Sequence, residues 1–325
     1  MKRTVGIDIG TYSAKLVELE NRKGRPTLTK CAMVRIANGD RKIALESLLS
    51  QAKLTLKRVN VSLSGPSVIV RYIEMPQMRK DELDSAIRFE AEKYLPFNIS
   101  ESTVDCAVLD NTSSGNQRVL LVAAKRGEVD SLLGFFKEFG LEVGAIDADC
   151  FAFFNSFDSA NPGNRKEEQA FALVNIGARF SNMNIVAKGA LYFTRDLFWG
   201  GADISKRIKD AMGLGMDEAE KVKQDPAEKR EEVVNVIAPA LEKLTQQIRM
   251  SFDYFETQVG RSIEKIYISG GTSYLFNIVD FLKENLHVDV MMWNPFEGIA
   301  IDGIFKEIAR HPAMFTVAVG LALRK

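Results

Sequence analysis

A short apolar run closed by glycine occurs twice in the chain, as Ile-Asp-Ile-Gly at 7–10 and Val-Asn-Ile-Gly at 174–177. Around the first copy, Val5, Ile7 and Ile9 alternate, Gly10 to Ser13 interrupt, and Lys15, Val17 and Leu19 alternate again. Period-two alternation about a polar break predicts two strands joined by a tight turn over 4–19. The second copy repeats the plan, with an apolar run at 170–177, the polar break Ala-Arg-Phe-Ser-Asn, and another apolar strand at 183–187. A repeat placed so far apart predicts two related halves whose turns face each other across a cleft, a common seat for a ligand.

The turn residues give that cleft a chemistry. Gly10 lets backbone approach a ligand, and successive N–H groups of such a turn form an anion-binding concavity. Thr11 and Ser13, on either side of Tyr12, supply hydroxyls, Lys15 an ammonium, and Asp8 a carboxylate able to hold Mg²⁺, often through water. On this stretch alone, an ordinary hairpin whose Asp and Ser satisfy the turn reads equally well. A third glycine turn, Gly270-Gly271-Thr272, follows the apolar strand at 263–269 and precedes a predicted helix, which suits contact with a base, a ribose or an α-phosphate. Gly200 and Gly201, at another predicted helix start, lie against a ligand phosphate or make a bend. Three glycine turns, each after an apolar strand, weigh more than any one.

Composition narrows the function classes. Lys plus Arg and Asp plus Glu balance at 43 each, which offers no electrostatic footprint for nucleic acid. No apolar run approaches the ~20 residues of a membrane span, and a strand begins after three residues where a secretory signal would stand, so a cytoplasmic protein without direct membrane insertion is expected. Cys31, Cys106 and Cys150 are too widely spaced for a zinc site and read as reduced thiols. The only histidines, His287 and His311, leave little material for a Ser-His or Cys-His catalytic set, and His311 before Pro312 reads as structural.

In chain order, residues 1–66 read as a mixed sheet with one helix. Residues 67–149 read β-α-β-β-α-β, a ferredoxin-like insertion. An aromatic helix and a hinge follow at 150–168, with a small, charged, Pro- and Gly-containing linker at 159–169. The second hairpin occupies 169–203, and 204–262 is helical, its last helix carrying the core stripe Ile237, Leu241, Leu244, Ile248, Phe252 and Phe255. The span 263–310 holds the Gly-Gly turn and a last strand, and 311–325 a closing helix.

These residues resemble the actin-like ATPase superfamily, which carries two phosphate hairpins and a Gly-Gly adenosine turn in this order. The insertion after the first sheet resembles FtsA and, more closely, the PilM family of type IV pilus assembly. That resemblance rests on Gly-Ile-Asp-Ile-Gly at 6–10, Met-Pro at 75–76, Ala-Ile-Arg-Phe-Glu-Ala-Glu-Lys-Tyr-Leu-Pro-Phe at 86–97 and Phe-Thr-Arg-Asp at 193–196. Asp-Tyr-Phe at 253–255, Asn-Pro-Phe at 294–296 and Ala-Val-Gly-Leu-Ala-Leu-Arg at 318–324 complete it.

The resemblance implies an α/β actin-like ATPase fold of two duplicated mixed-sheet halves with an inserted subdomain. It also implies ATP with Mg²⁺ between the halves, and a groove between first sheet and insertion that holds the cytoplasmic tail of a PilN-like inner-membrane protein. Other pilus inner-membrane platform proteins and self-association follow as further partners. Residue by residue, Asp8, Gly10, Thr11, Tyr12, Ser13 and Lys15 match the first phosphate turn, Gly177 the second, and Gly270 and Gly271 the adenosine turn. Glu220 and Lys223 match an Ala-Glu-x-x-Lys pattern that contacts ribose and base, or form a solvated helix face. Asn175 departs from the pattern, since aspartate is usual there. An amide can neither take a proton from water nor neutralise Mg²⁺, so weak or absent hydrolysis is expected.

Three rival readings share the superfamily: a small-metabolite kinase with Asp147 or Asp149 as base, an FtsA-like filament protein, and a type II secretion counterpart. For the tail groove, apolar residues around Ile69, Ile73, Phe89 and Leu95 are the candidates, with core packing the alternative for each.

Overall fold

The computed structural model describes residues 3–111, 115–161, 169–305, 308 and 310–324. The linker expected at 159–169 lies mostly outside the described residues. β1 (Arg3–Ile9), β2 (Ser13–Arg22) and β3 (Arg25–Arg35) form an antiparallel meander, with Asp8 opposite Lys15 in the register. Asp40 then caps α1 (Arg41–Ala52), its carboxylate accepting from the Ile43 N–H at 3.0 Å, as a short acceptor side chain does at a helix start. That helix crosses over to β4 (Arg58–Leu63), which pairs parallel to β1.

The insertion follows. β5 (Val68–Pro76), β6 (Ser102–Asn111) and β7 (Asn116–Lys125) make a three-stranded sheet in the order β5-β7-β6. α2 (Lys80–Glu92) covers one face of it, packing Leu83, Ile87 and Ala91 against Ile73, Met75, Val119 and Leu121. A ferredoxin-like unit would need a fourth strand here, and the structure corrects that expectation. The strand expected at 141–146 is β8 (Glu142–Ala148), which pairs parallel with β4 at the margin of the first sheet. α3 (Arg126–Glu138) goes the same way, burying Phe136 in the core of Leu45, Leu48 and Val61. Alternation identifies a strand and leaves its neighbour open, and here the apolar side chains of β8 serve the larger core.

The second half repeats the first. β9 (Ala170–Ile176), β10 (Ser181–Ala187) and β11 (Ala190–Leu197) form the meander, and β12 (Ile263–Ser269) and β13 (Asp289–Met292) extend it in parallel, giving the order β11-β10-β9-β12-β13. The first sheet has the matching order β3-β2-β1-β4-β8, with a two-residue strand, β14 (Ala300–Ile301), added outside β3. Between β11 and β12 run α5 (Gly201–Met212), α6 (Met216–Gln224) and α7 (Arg230–Val259), and the expected stripe from Ile237 to Phe255 is buried against the second sheet. α8 (Ile278–Leu286) joins β12 to β13.

Two helices lie between the sheets. α4 (Asp149–Ala160) presents Phe153 and Phe157 to the second sheet, where Phe157 stacks on Phe171, Tyr267 and Trp293 at ring separations of 4.8–4.9 Å. α9 (Thr316–Leu323) is apolar on every side, as a helix enclosed by protein must be. It meets α4 backbone to backbone: a Cβ added to Gly320 would stand 1.7 Å from the Ala152 carbonyl oxygen. No disulfide joins the three cysteines, and among the described residues no helix is long and apolar enough to cross a membrane.

Candidate functional site

The duplicated turns do face one another. Asp8, Gly10, Thr11, Tyr12, Ser13 and Lys15 line one wall of a cleft, Asn175 and Gly177 the opposite wall, and Gly270, Gly271, Thr272, Glu220 and Lys223 its far end. The first turn is closed by the Gly10 N–H donating to the Ser13 carbonyl at 3.1 Å, and its base is held by the Ile36 N–H donating to the Tyr12 carbonyl at 2.8 Å. Gly177 and Gly270 are required where they stand. A Cβ on Gly177 would lie 2.3 Å from the Phe180 carbonyl oxygen, and Gly270, at φ +87°, would place one 2.5 Å from the Ile176 carbonyl oxygen. The Thr272 hydroxyl donates to the Gly177 carbonyl at 2.9 Å, tying the third turn to the second.

Gly200 and Gly201 do not line this cleft. The Gly201 N–H donates to the Gly177 carbonyl at 3.0 Å and the Ala202 N–H to Ala178 at 2.8 Å, so this glycine pair braces the second turn from behind. The helix expected straight after the third turn is also displaced. A 3₁₀ turn, Gly271–Tyr274, intervenes before α8, so no long helix N-terminus opens onto the glycines.

Charge concentrates at the floor. The Lys15 ammonium donates to Asp8 Oδ2 at 2.9 Å, and both side chains are about nine-tenths buried. Asp149, the first residue of α4, joins them from the first half and is one of the two residues that the kinase alternative offers as a base. It is half-buried by exposed area yet surrounded by protein, and burial, then the neighbouring Asp8 charge, raises its pKa to about 7; Ser62, Ser64 and Lys15 oppose that rise. Asp147, the other candidate base, lies two residues away and lines a different cavity.

A carboxyl held this high has a stability signature. The unfolded chain loses the proton near pH ~3.9 while the native state keeps it to about 7, so the native state binds more protons in between and stability falls as pH rises through that window. Asp149→Asn is expected to flatten this part of the Tm-against-pH profile and to stabilise the protein above pH 7 by on the order of 1–3 kcal/mol. Thermal melts of both proteins from pH 5 to 8 read this directly; parallel curves would sink it.

At the other end, α6 turns inward. Lys223 is buried and pairs with Glu220 at 2.6 Å, and its ammonium also donates to Ser205 Oγ at 2.9 Å, while that hydroxyl donates to Glu220. A solvated helix face does not describe this pair. Across the cleft mouth Arg35 of the first half pairs with Asp217 of α6 at 2.5 Å and lies over the Tyr12 ring.

A second concavity separates the insertion from the first sheet. The face of the small sheet not covered by α2 contributes Thr103, Asp105 and Ala107 from β6, and Leu120, Val122 and Ala124 from β7. Ile146 and Asp147 of β8, Phe151 of α4 and Arg324 supply the other wall of a groove of about 310 Å³. None of the apolar candidates from the sequence lines it: Ile73 and Leu95 belong to the core under α2, Ile69 borders another cavity, and Phe89 is exposed.

The family model of the type IV pilus assembly protein PilM matches residues 6–325. The chain belongs to the PilM family. A solved PilM-PilN type IV pilus biogenesis complex contains a chain 28% identical to it, with a TM-score of 0.88, covering 99% of this chain and 98% of that one. More distant likenesses show the actin-like fold alone. Ethanolamine utilization protein EutJ from Carboxydothermus hydrogenoformans is 15% identical at a TM-score of 0.57, covering 99% of this chain and 90% of EutJ. MreB5 of Spiroplasma citri bound to AMPPNP is 14% identical at 0.52, covering 98% and 95%. This PilM-family chain is thus an actin-like fold carrying a three-stranded insertion after β4.

Proposed function

We propose that this chain is a nucleotide-binding scaffold of type IV pilus assembly that holds the cytoplasmic tail of a PilN-like inner-membrane protein in the groove between insertion and first sheet. ATP with Mg²⁺ in the cleft would gate that assembly. The observation that carries the reading is the groove itself, walled by the sheet face that α2 leaves uncovered and lined by apolar side chains around the Asp147–Arg324 pair, in a chain so similar to the PilM of a PilM-PilN complex. An extended segment laid against such a face buries alternate side chains.

The cleft residues fit a metal-bound nucleotide. Asp8 is paired with Lys15, and Asp149 beside it adds negative charge for a divalent ion as it loses its proton near pH 7, while Gly177 and Gly270 let the turns fold tightly against the Phe180 and Ile176 carbonyls at the cleft wall. Bound there, Mg²⁺ would neutralise the phosphate charge, with Asp8 holding it through water; Glu220 and Lys223 would meet the ribose and base. The cavity is about 150 Å³, below the ~300–1,000 Å³ usual for small-molecule sites, so a nucleotide would have to part the walls. Asn175 supplies no base and no charge, which supports slow or absent turnover and a switch rather than a motor. That MreB5, a distant neighbour of the same fold, is bound to AMPPNP supports nucleotide binding in general.

The test titrates a labelled PilN-type tail peptide into the full chain by fluorescence anisotropy, without nucleotide, with ADP and with ATP·Mg²⁺. Saturable binding whose affinity differs between nucleotide states is the expected result. No binding in any state would end the scaffold reading, and identical binding in all three would end the gating.

A further inference from the structure

The groove contains a buried carboxylate that the chain itself neutralises. The Asp147 side chain is only 4% exposed, and among the described residues its one ion pair is with the Arg324 guanidinium. The Ala148 N–H donates to Oδ1 at 2.9 Å, and the Asn155 amide reaches Oδ2 at 3.5 Å. Among the described residues, Asp105, exposed on β6, is the other acid of the groove, and Arg324 its single base. The groove is therefore acidic by one charge, apart from what a ligand brings.

Arg324 is placed to leave. It follows the end of α9 in extended conformation, its side chain is 39% exposed, and it also borders a larger cavity of about 760 Å³ on the far side, lined by Thr4, Leu19 and Asn155. A swing toward that cavity would vacate the groove floor. It would also strand Asp147 as an unpaired buried charge, which is strongly unfavourable unless another cation replaces the guanidinium.

We propose that Arg324 is a stand-in for a basic side chain of the docking tail: the tail lays apolar residues on Leu120, Val122 and Ala124 and delivers a lysine or arginine to Asp147 in place of Arg324. This rests on the groove being the seat of a PilN-type tail and adds the chemistry by which that seat selects. A neutral apolar segment has nothing to exchange for the internal ion pair, so the groove discriminates against it as well as favouring the basic one.

The experiment uses fluorescein-labelled apolar PilN-type tail peptides without charge, and a series in which one arginine is walked through successive positions. Each is titrated into the full chain as wild type, Arg324→Ala, Asp147→Asn and the double variant, which leaves no bare buried charge and guards against misfolding of the singles. In wild type, where one ion pair is exchanged for another, one arginine position should bind about threefold tighter than the uncharged host, less than a whole charge-assisted contact's worth. Arg324→Ala should widen that preference, and Asp147→Asn should erase it while still binding the host. Equal binding of all peptides to wild type overturns the proposal, as does a preference that survives Asp147→Asn. Should the host and every arginine peptide fail to bind any form, the tail-groove reading itself falls; binding of the host without positional preference overturns only the exchange.

Discussion

Gly320→Ala is expected to remove a large share of the protein's stability. The added methyl would lie 1.7 Å from the Ala152 oxygen, 2.4 Å from its carbonyl carbon and 2.9 Å from its Cα. All three are backbone atoms of α4, so no side-chain rotation makes room. α9 cannot back away either, because on its other side a Cβ on Gly6 of β1 would come within 2.1 Å of the Ala318 oxygen. Overpacking against movable side chains costs about 1–3 kcal/mol, and here two helices and a strand must separate, so a loss above ~4 kcal/mol follows. Gly134, in the middle of α3 with nothing within 4 Å of an added methyl, is the internal control. Alanine there should stabilise by about 0.5–1 kcal/mol through helix propensity. Thermal melts of the two variants should move in opposite directions; a Gly320→Ala protein melting beside wild type would remove the rigid α4–α9 contact from this account.

The second large effect concerns Asp8. Asp8→Asn keeps the shape and an acceptor for Lys15 but removes the charge proposed to hold Mg²⁺ through water, and outer-shell losses of that kind cost ~10–100-fold in metal affinity. Calorimetry with ATP should therefore show a loss of about that size with magnesium present and a much smaller one with the metal chelated. Asp8→Ala goes further, since it strips a buried ammonium of its partner and should cost roughly 3–5 kcal/mol of stability as well, less whatever Asp149 takes over. A variant with unaltered magnesium dependence would show that the ion sits elsewhere.

Much of this architecture was legible in the chain because it is written locally. The alternation around Gly10 and Gly177 specified both hairpins, and the stripe from Ile237 to Phe255 specified the buried face of α7. What local pattern cannot carry is partnership. Nothing in Glu142–Ala148 says whether it completes the small sheet or joins β4, and β14 is two residues long, too short for any periodicity. The same holds at the site. Asp149 enters the cleft only because β8 ends beside β4, and Gly200 and Gly201, which in sequence could touch a ligand or make a bend, press on the Ala178 backbone and the Thr272 side chain respectively. The apolar candidates for the groove lie elsewhere, Ile73 and Leu95 in the core under α2, Ile69 at another cavity and Phe89 exposed on α2, while the face that α2 leaves uncovered mixes Thr103, Asp105 and Ala107 with Leu120 and Val122.

The contrast between the two surfaces of α4 determines where this molecule can bend. Toward α9 its main chain is interlocked with another main chain, and such a contact has no intermediate positions. Toward β9 and β12 it offers Phe157 to Phe171, Tyr267 and Trp293, rings that can slide over one another while staying in contact. Asn184 of β10 also donates to the Cys150 carbonyl of α4 at 2.7 Å, so a shear of the second half along that aromatic seam must first break this buried hydrogen bond, while α4 stays locked to α9.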